Sequence, residues 1–93
     1  MSYELVLQSE AIIDIQKAFE WYENRAAGLG YEFIGEIEEG FERLSKNPQH
    51  YSAINQKYRK HRINRFPYLI VFEIEEKKVV INSVRHISQE PKH

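Results

Sequence analysis

The sequence predicts an α+β domain: an N-terminal strand, a two-helix antiparallel hairpin, then a three-stranded antiparallel meander, with the hairpin packed on one sheet face. Three observations carry this reading. The opening "YELVLQ" alternates with the period of a strand. Two later runs place apolar residues three and four apart and are separated by "AAGLG". The second half is strand-like, with "RFPYLIVFEI" and "VVINSVRHI" on either side of a charged "EEKK" turn. At 93 residues, the chain 1–93 reads as one domain with one modest core. It shows no internal repeat, linker or low-complexity segment.

Each element has a local cause. In the first strand Tyr3, Leu5 and Leu7 fall on one face, and Glu4, Val6 and Gln8 on the other. Ser9 then offers an N-cap, and Glu10 and Asp14 lie in or near the first turn, where the helix dipole favours anions. Ile12, Ile15, Phe19 and Tyr22 form the apolar stripe of a helix running to about Arg25. Gly28 and Gly30 suit a C-cap and a tight connection. The second helix carries Phe33, Ile37, Phe41 and Leu44 in one stripe and Glu32, Glu36, Glu38, Glu39 and Glu42 on its other side. It ends near "KNP", because Pro48 disfavours helix at Asn47. Gly35 and Gly40, inside this helix, suit a close approach of the helix and carry no chemistry.

"QKYRKHRI" reads as a polar, basic strand, followed by a turn at "NRF". Pro67 is tolerated at the first residue of the next strand. There Tyr68, Ile70, Phe72 and Ile74 share one face, while Leu69 and Val71 point to the other, so this strand is central and covered on both sides.

Composition bounds the function. The 42% hydrophobic and 13% aromatic content fits a folded globular protein. No segment approaches the apolar length of a membrane span, and the N-terminus lacks the features of a signal peptide. The absence of cysteine excludes disulfides and thiolate zinc sites and is compatible with a cytoplasmic location. The net charge of −1 hides an asymmetry. Met1 to Lys46 holds ten acids and four bases, and Asn47 to His93 holds nine bases and four acids. Between Asn47 and Phe72 there are five Lys or Arg and no acid. Either the basic half is a working face on an acidic body, or the two halves attract each other on folding.

A helix bearing "WYE", a second helix opening "GLGYEFIGEI", "NP" at its end, an Arg-bearing strand, "RFPYLIVFEI", and "VRH" followed shortly by proline occur in that order. In combination and spacing, over nearly the whole chain, they resemble the RelE/ParE superfamily. These are the toxins of bacterial type II toxin–antitoxin pairs, and the likeness is to the ParE-like, plasmid-stabilisation branch. The resemblance implies a small cytoplasmic toxin that inhibits growth unless a cognate antitoxin, encoded beside it, holds it inactive. RelE-type members cut messenger RNA in the ribosomal A site, whereas ParE-type members lack that activity and poison DNA gyrase.

For metal-free RNA cleavage, Arg59 and Arg62 are the candidate cations for phosphate and His86 the candidate proton-transfer group. His86 matches the recurrent histidine of the family's last strand, and Arg59 the arginine before the "FPY" strand. The chain also departs from the nuclease pattern. Residues 47–72 offer no carboxylate, Ile87 stands where some nucleases have tyrosine, "ISQE" replaces basic residues, and the sequence pI is 6.4. Few bases mean little counterion release on RNA. His86 is alternatively a structural histidine of the sheet.

Lys57, Lys60, Arg65 and Arg85 are expected to bind target or antitoxin. The cluster Lys57, Arg59, Lys60, Arg62 and Arg65 either receives acidic antitoxin side chains or pairs with the acids of the second helix and with solvent. Phe19, Trp21 and Tyr22 are expected in core or hairpin packing, not as a base-stacking platform. Gly28 and Gly30 make a helix-connecting turn more readily than an anion site. No cofactor and no metal are expected: His50, His61 and His86 lack a recognisable ligand spacing and cysteine partners. The expected function is a target-binding toxin of the gyrase type. Its rivals are a ribosome-dependent endoribonuclease, and a decayed toxin that only binds antitoxin.

Overall fold

The two halves of the chain meet in one mixed sheet carrying both helices on one face. The structure, a computed structural model, describes residues 2–89; Glu90 and Pro91, which close the "ISQE" and "VRH…P" patterns, lie outside them. In order the elements are β1 (Glu4–Leu7), α1 (Ser9–Arg25), α2 (Leu29–Lys46), β2 (Arg59–Arg62), β3 (Tyr68–Glu75) and β4 (Lys78–His86). Single 3₁₀ turns follow α2 at Pro48–His50 and β4 at Ile87–Gln89. The strand order is β1-β4-β3-β2. The meander is antiparallel as expected, and β1 joins the same sheet by pairing in parallel with β4.

On the helix side, Ile70, Phe72, Val79, Ile81 and Val84 of the sheet pack with Phe33, Ile37 and Leu44 of α2 and with Ala11, Ala18 and Tyr22 of α1. Phe33, Tyr22, Phe66 and Tyr68 form a knot of mostly edge-to-face rings with centroids 4.9–6.1 Å apart. On β4 the alternation is broken. Val71 faces Ser83 but Phe72 faces Ile81, so Asn82 is an extra residue, a β-bulge. Before the bulge Val79 and Ile81 point to the helices; after it Val84 does. The Asp14 carboxylate, projecting from α1, accepts the Val84 N–H at 2.9 Å. It satisfies a strand amide that lies beyond the end of β1.

Three local expectations change. Ser9 is the first helical residue, not the cap. Gln8 takes the cap position and still donates its N–H to Ile81 in the sheet, so a single residue carries the chain from strand to helix. The α1 stripe is rotated: Ile12 and Ile13 are about half exposed, and the small Ala11 and Ala18 face inward. Asp14, tied to β4, fixes that rotation, and alanines let the helix come close. The basic strand is shorter than "QKYRKHRI", because the Asn55 side chain accepts the N–H groups of Lys57 and Tyr58 and folds those residues into a turn.

The hairpin is built as the glycines require. Gly28 has φ of 90°, and a Cβ on Gly30 would stand 2.7 Å from the Phe19 carbonyl oxygen. The Glu23 carboxylate, on the last turns of α1, accepts the N–H groups of Gly28 and Gly30 at 2.9 and 2.8 Å. The N-terminus of α2 is thereby occupied by the chain's own anion. Gly40 lets α2 approach the sheet closely, since a Cβ there would lie 2.9 Å from Ile70 Cδ1.

Candidate functional site

The register of β2, β3 and β4 sorts the cationic residues between two faces. Across β2 and β3 the facing pairs are Arg59 with Phe72, Lys60 with Val71, His61 with Ile70, and Arg62 with Leu69. Facing residues in a sheet project to the same side. Arg59 and His61 therefore belong to the helix side, with Ile70 and Phe72, and Lys60 and Arg62 to the open side. Across β3 and β4, Leu69 faces Arg85 and Tyr68 faces His86. Arg85 is on the open side. His86 is on the helix side, where its ring meets Tyr68 edge-on at 5.2 Å.

The open side forms a groove of about 800 Å³. Leu69 and Val71 make its floor, Ile54 and Tyr58 of the loop after α2 make one wall, and Lys60 and Arg85 border it. Arg62, Leu69 and Arg85 lie in one row, so the two guanidinium stems flank a buried leucine about 10 Å apart, two strand spacings. The Arg85 Nε donates to Ser83 Oγ at 3.3 Å, and its guanidinium stands 3.7 Å from Glu10. Glu10, in the first turn of α1, brings one acid to the groove.

The remaining candidates are engaged elsewhere. Arg59 donates to the carbonyl oxygens of Tyr51 at 2.8 Å and Gln49 at 3.3 Å, anchoring the loop after α2. Arg65, in a left-handed conformation with φ of 70°, pairs with Glu32 at 2.6 Å and Glu36 at 3.9 Å of α2. It thus realises the attraction between basic and acidic halves. Lys57 is exposed, with Nζ 5.3 Å over the Tyr58 ring. The Ser88 N–H donates to His86 Nδ1 at 3.1 Å, and the Ser88 hydroxyl lies 2.8 Å from the same nitrogen. Burial first, then Tyr22 and the Asp14 carboxylate, raise the neighbouring Tyr68 phenol above its ordinary value, so it stays protonated.

Lys60 and Arg85 thus come together around one groove, Arg62 shares their face of the sheet without lining it, and Arg59, Arg65 and His86 do not join them. Tyr22 is core and Phe19 packs edge-on against Tyr31, but Trp21 is 52% exposed with the Arg25 guanidinium 4.1 Å over its ring. Among the described residues, no three His, Asp or Glu side chains come together as a metal would require. Sequence reading missed the groove floor and wall: Ile54 lies in a segment with no periodic signal, Tyr58 reads as part of the basic strand that the Asn55 turn shortens, and Leu69 is visible only as the off-face residue of a buried strand.

A family model described as the ParE toxin of the type II toxin–antitoxin system parDE matches residues 5–91. The fold is similar to a chain of the chromosomal ParDE toxin–antitoxin system of P. aeruginosa, with a TM-score of 0.77, 16% identity, and coverage of 91% of this chain and 96% of that one. It is also similar to a free-state double arginine-to-alanine variant of the E. coli toxin RelE, with a TM-score of 0.59, 15% identity, and coverage of 97% and 88%. A comparison with curated proteins gives no match.

Proposed function

The chain belongs to the ParE toxin family of type II toxin–antitoxin systems, and we propose that it arrests growth by binding a macromolecular target, DNA gyrase, and not by cutting RNA. The family carries with it a cognate antitoxin as partner. The groove bordered by Lys60 and Arg85, with Arg62 on the same face, is the surface on which partners dock, its cations receiving acidic side chains around an apolar floor. Such a reading requires a cytoplasmic protein. Among the described residues no helix is long and apolar enough to cross a membrane.

One observation carries the reading: the would-be nuclease set is dispersed. Cleavage needs a base, a phosphorane cation and an acid within about 3 Å of the reacting atoms. Here His86 lies on the helix side of the sheet and Arg62 on the open side. Arg59 is held by two carbonyl oxygens of a neighbouring loop. No carboxylate stands in residues 47–72 to replace them.

The test is pulse-labelling of DNA and protein synthesis within minutes of inducing the chain alone, paired with gyrase supercoiling in vitro. DNA synthesis should fall first, supercoiling should be inhibited, and His86→Ala should remain toxic. Protein synthesis falling first, with transcripts cut on ribosomes and toxicity lost in folded His86→Ala, would establish the ribonuclease instead. Accumulation of folded chain with neither effect would mark a decayed toxin that retains only antitoxin binding.

A further inference from the structure

We propose that His61 is a proton-operated latch that holds the 51–58 wall of the groove against the sheet, so that acidification loosens the wall and weakens partner binding there. The inference rests on the reading of the groove as a partner surface.

His61 sits in the edge strand β2, beside Ile70, with its ring on the helix side. Its Nε2 is buried and has no hydrogen-bond partner. The ring meets Tyr51 edge-on, with centroids 4.6 Å apart. From α2, Gly40 lies so close that a Cβ there would stand 3.5 Å from His61 Cδ2. The charged group bearing on the ring is Arg43 of α2, itself paired with Glu39 at 3.1 Å. The loop contributes Tyr51, and β3 places the apolar Ile70 opposite His61. Burial first, and Arg43 second, hold the imidazole below its ordinary pKa. It is a neutral ring wedged between a helix, a sheet and a loop.

Tyr51 is also where the groove wall begins. Lys60 N–H donates to the Ser52 carbonyl at 3.0 Å, Ala53 bridges to Arg59, and Ile54 N–H donates to Tyr58 at 2.8 Å. Ala53, Ile54 and Tyr58 then face the groove. The Tyr51–His61 contact and the outer edge of β2 therefore hold one segment from two sides. A proton on the imidazole would make Nε2 a buried donor with nothing to bind and set a cation beside Arg43. The charged ring regains water by parting from Tyr51. A partner seated on the wall keeps the ring covered, so partner binding and protonation compete. Affinity should drop about tenfold for each unit by which the His61 pKa is lower in the complex than in the free chain.

The test uses the free chain. Amide exchange is followed from about pH 7.5 to 5, corrected for its intrinsic pH dependence, across the range in which histidine titrates. The probes are the Lys60 and Ile54 amides, beside an NMR titration of the His61 ring. Protection of both amides should fall severalfold in step with His61 and stay level in His61→Gln and His61→Phe. Protection that stays level in the wild-type chain while His61 titrates would overturn the latch, and so would an equal loss in His61→Gln. No partner enters this measurement, so it stands apart from the groove reading. That reading fails if Lys60→Glu with Arg85→Glu leaves antitoxin and target binding unchanged.

Discussion

The two faces of the sheet are built from alternate residues of the same strands, yet they end in different states. On the helix side Ile70, Phe72, Val79 and Ile81 are fully buried under two helices. On the open side Leu69, Val80 and Ser83 are also nearly buried, but Val71 beside them stays only partly buried and the cover is a loop and the first turn of α1. One face is a finished core. The other has an apolar floor, a cationic border and room for another chain. The sharpest way to break this contrast is truncation of neighbours on β3. Phe72→Ala should cost about 3–5 kcal/mol, the usual loss for a buried phenylalanine. Val71→Ala, one residue away on the open face, should cost about 1 kcal/mol. Urea unfolding of both variants decides the matter, and equal losses would mean that the two faces are equally sealed.

The next effect in size falls where the faces exchange residues. Asp14→Ala removes the acceptor of the Val84 N–H and leaves a strand amide without its partner. The expected cost is about 1–3 kcal/mol in urea unfolding. Asp14→Asn keeps an acceptor oxygen and should cost less. In Asp14→Ala, NMR shifts of Ser83 to His86 should move more than those of Lys78 to Ile81, because only the former lie beyond the bulge. An even spread of shifts would show that Asp14 holds the helix and not the bulge.

That bulge also marks where sequence reading stops. The order of elements, the hairpin, its end at Pro48 and the turn at Glu76 were legible, because each rests on local chemistry: apolar spacing, glycine at a positive φ, proline, and charge in a tight turn. The family resemblance was legible for the same reason, as an ordered string of such signals. The partition of the site was not. Strict alternation along "VVINSVRH" would place Val79, Ile81, Ser83 and Arg85 on one face; the extra Asn82 moves Ser83 and Arg85 to the other. An inserted residue has no signature in one sequence. Nor does the binding of Arg59 to two carbonyl oxygens, which arises only once the 48–52 segment folds back beside β2. The rotation of α1 escaped because Ala11 and Ala18, weak in apolar character, are the buried positions, and the larger Ile12 and Ile13 are outside.

A smaller effect separates the faces by pH. The His61 pKa is lowered in the folded chain, by burial and then by Arg43. The unfolded chain therefore takes up the proton first. Stability from this group is fully present above the unfolded value of about 6.5 and is lost as pH falls from there through the folded value. Below the folded pKa both states carry the proton and the loss levels off. Urea midpoints of the wild-type chain should decline across that window more steeply than those of His61→Gln. Parallel profiles would assign the acid sensitivity to other groups.

The smallest effect on stability should accompany the largest on function, and it lies at the groove's border. Arg85 is about one-third exposed and Glu10 about two-thirds, and their charges are 3.7 Å apart. Water and salt screen such a pair, so Arg85→Ala should shift stability by no more than about 0.5 kcal/mol. The open face can accept this loss because Leu69, not the guanidinium, closes its floor. The same substitution removes one of the two cations flanking that floor. If partners dock there, antitoxin affinity measured by calorimetry should fall by about tenfold or more, the loss expected of an arginine at the centre of an interface. Raising the salt concentration should narrow the gap between wild type and variant. A variant that is stable and binds as the wild type does would leave the groove without a partner and return the question to the exposed Trp21 and Arg25 of α1.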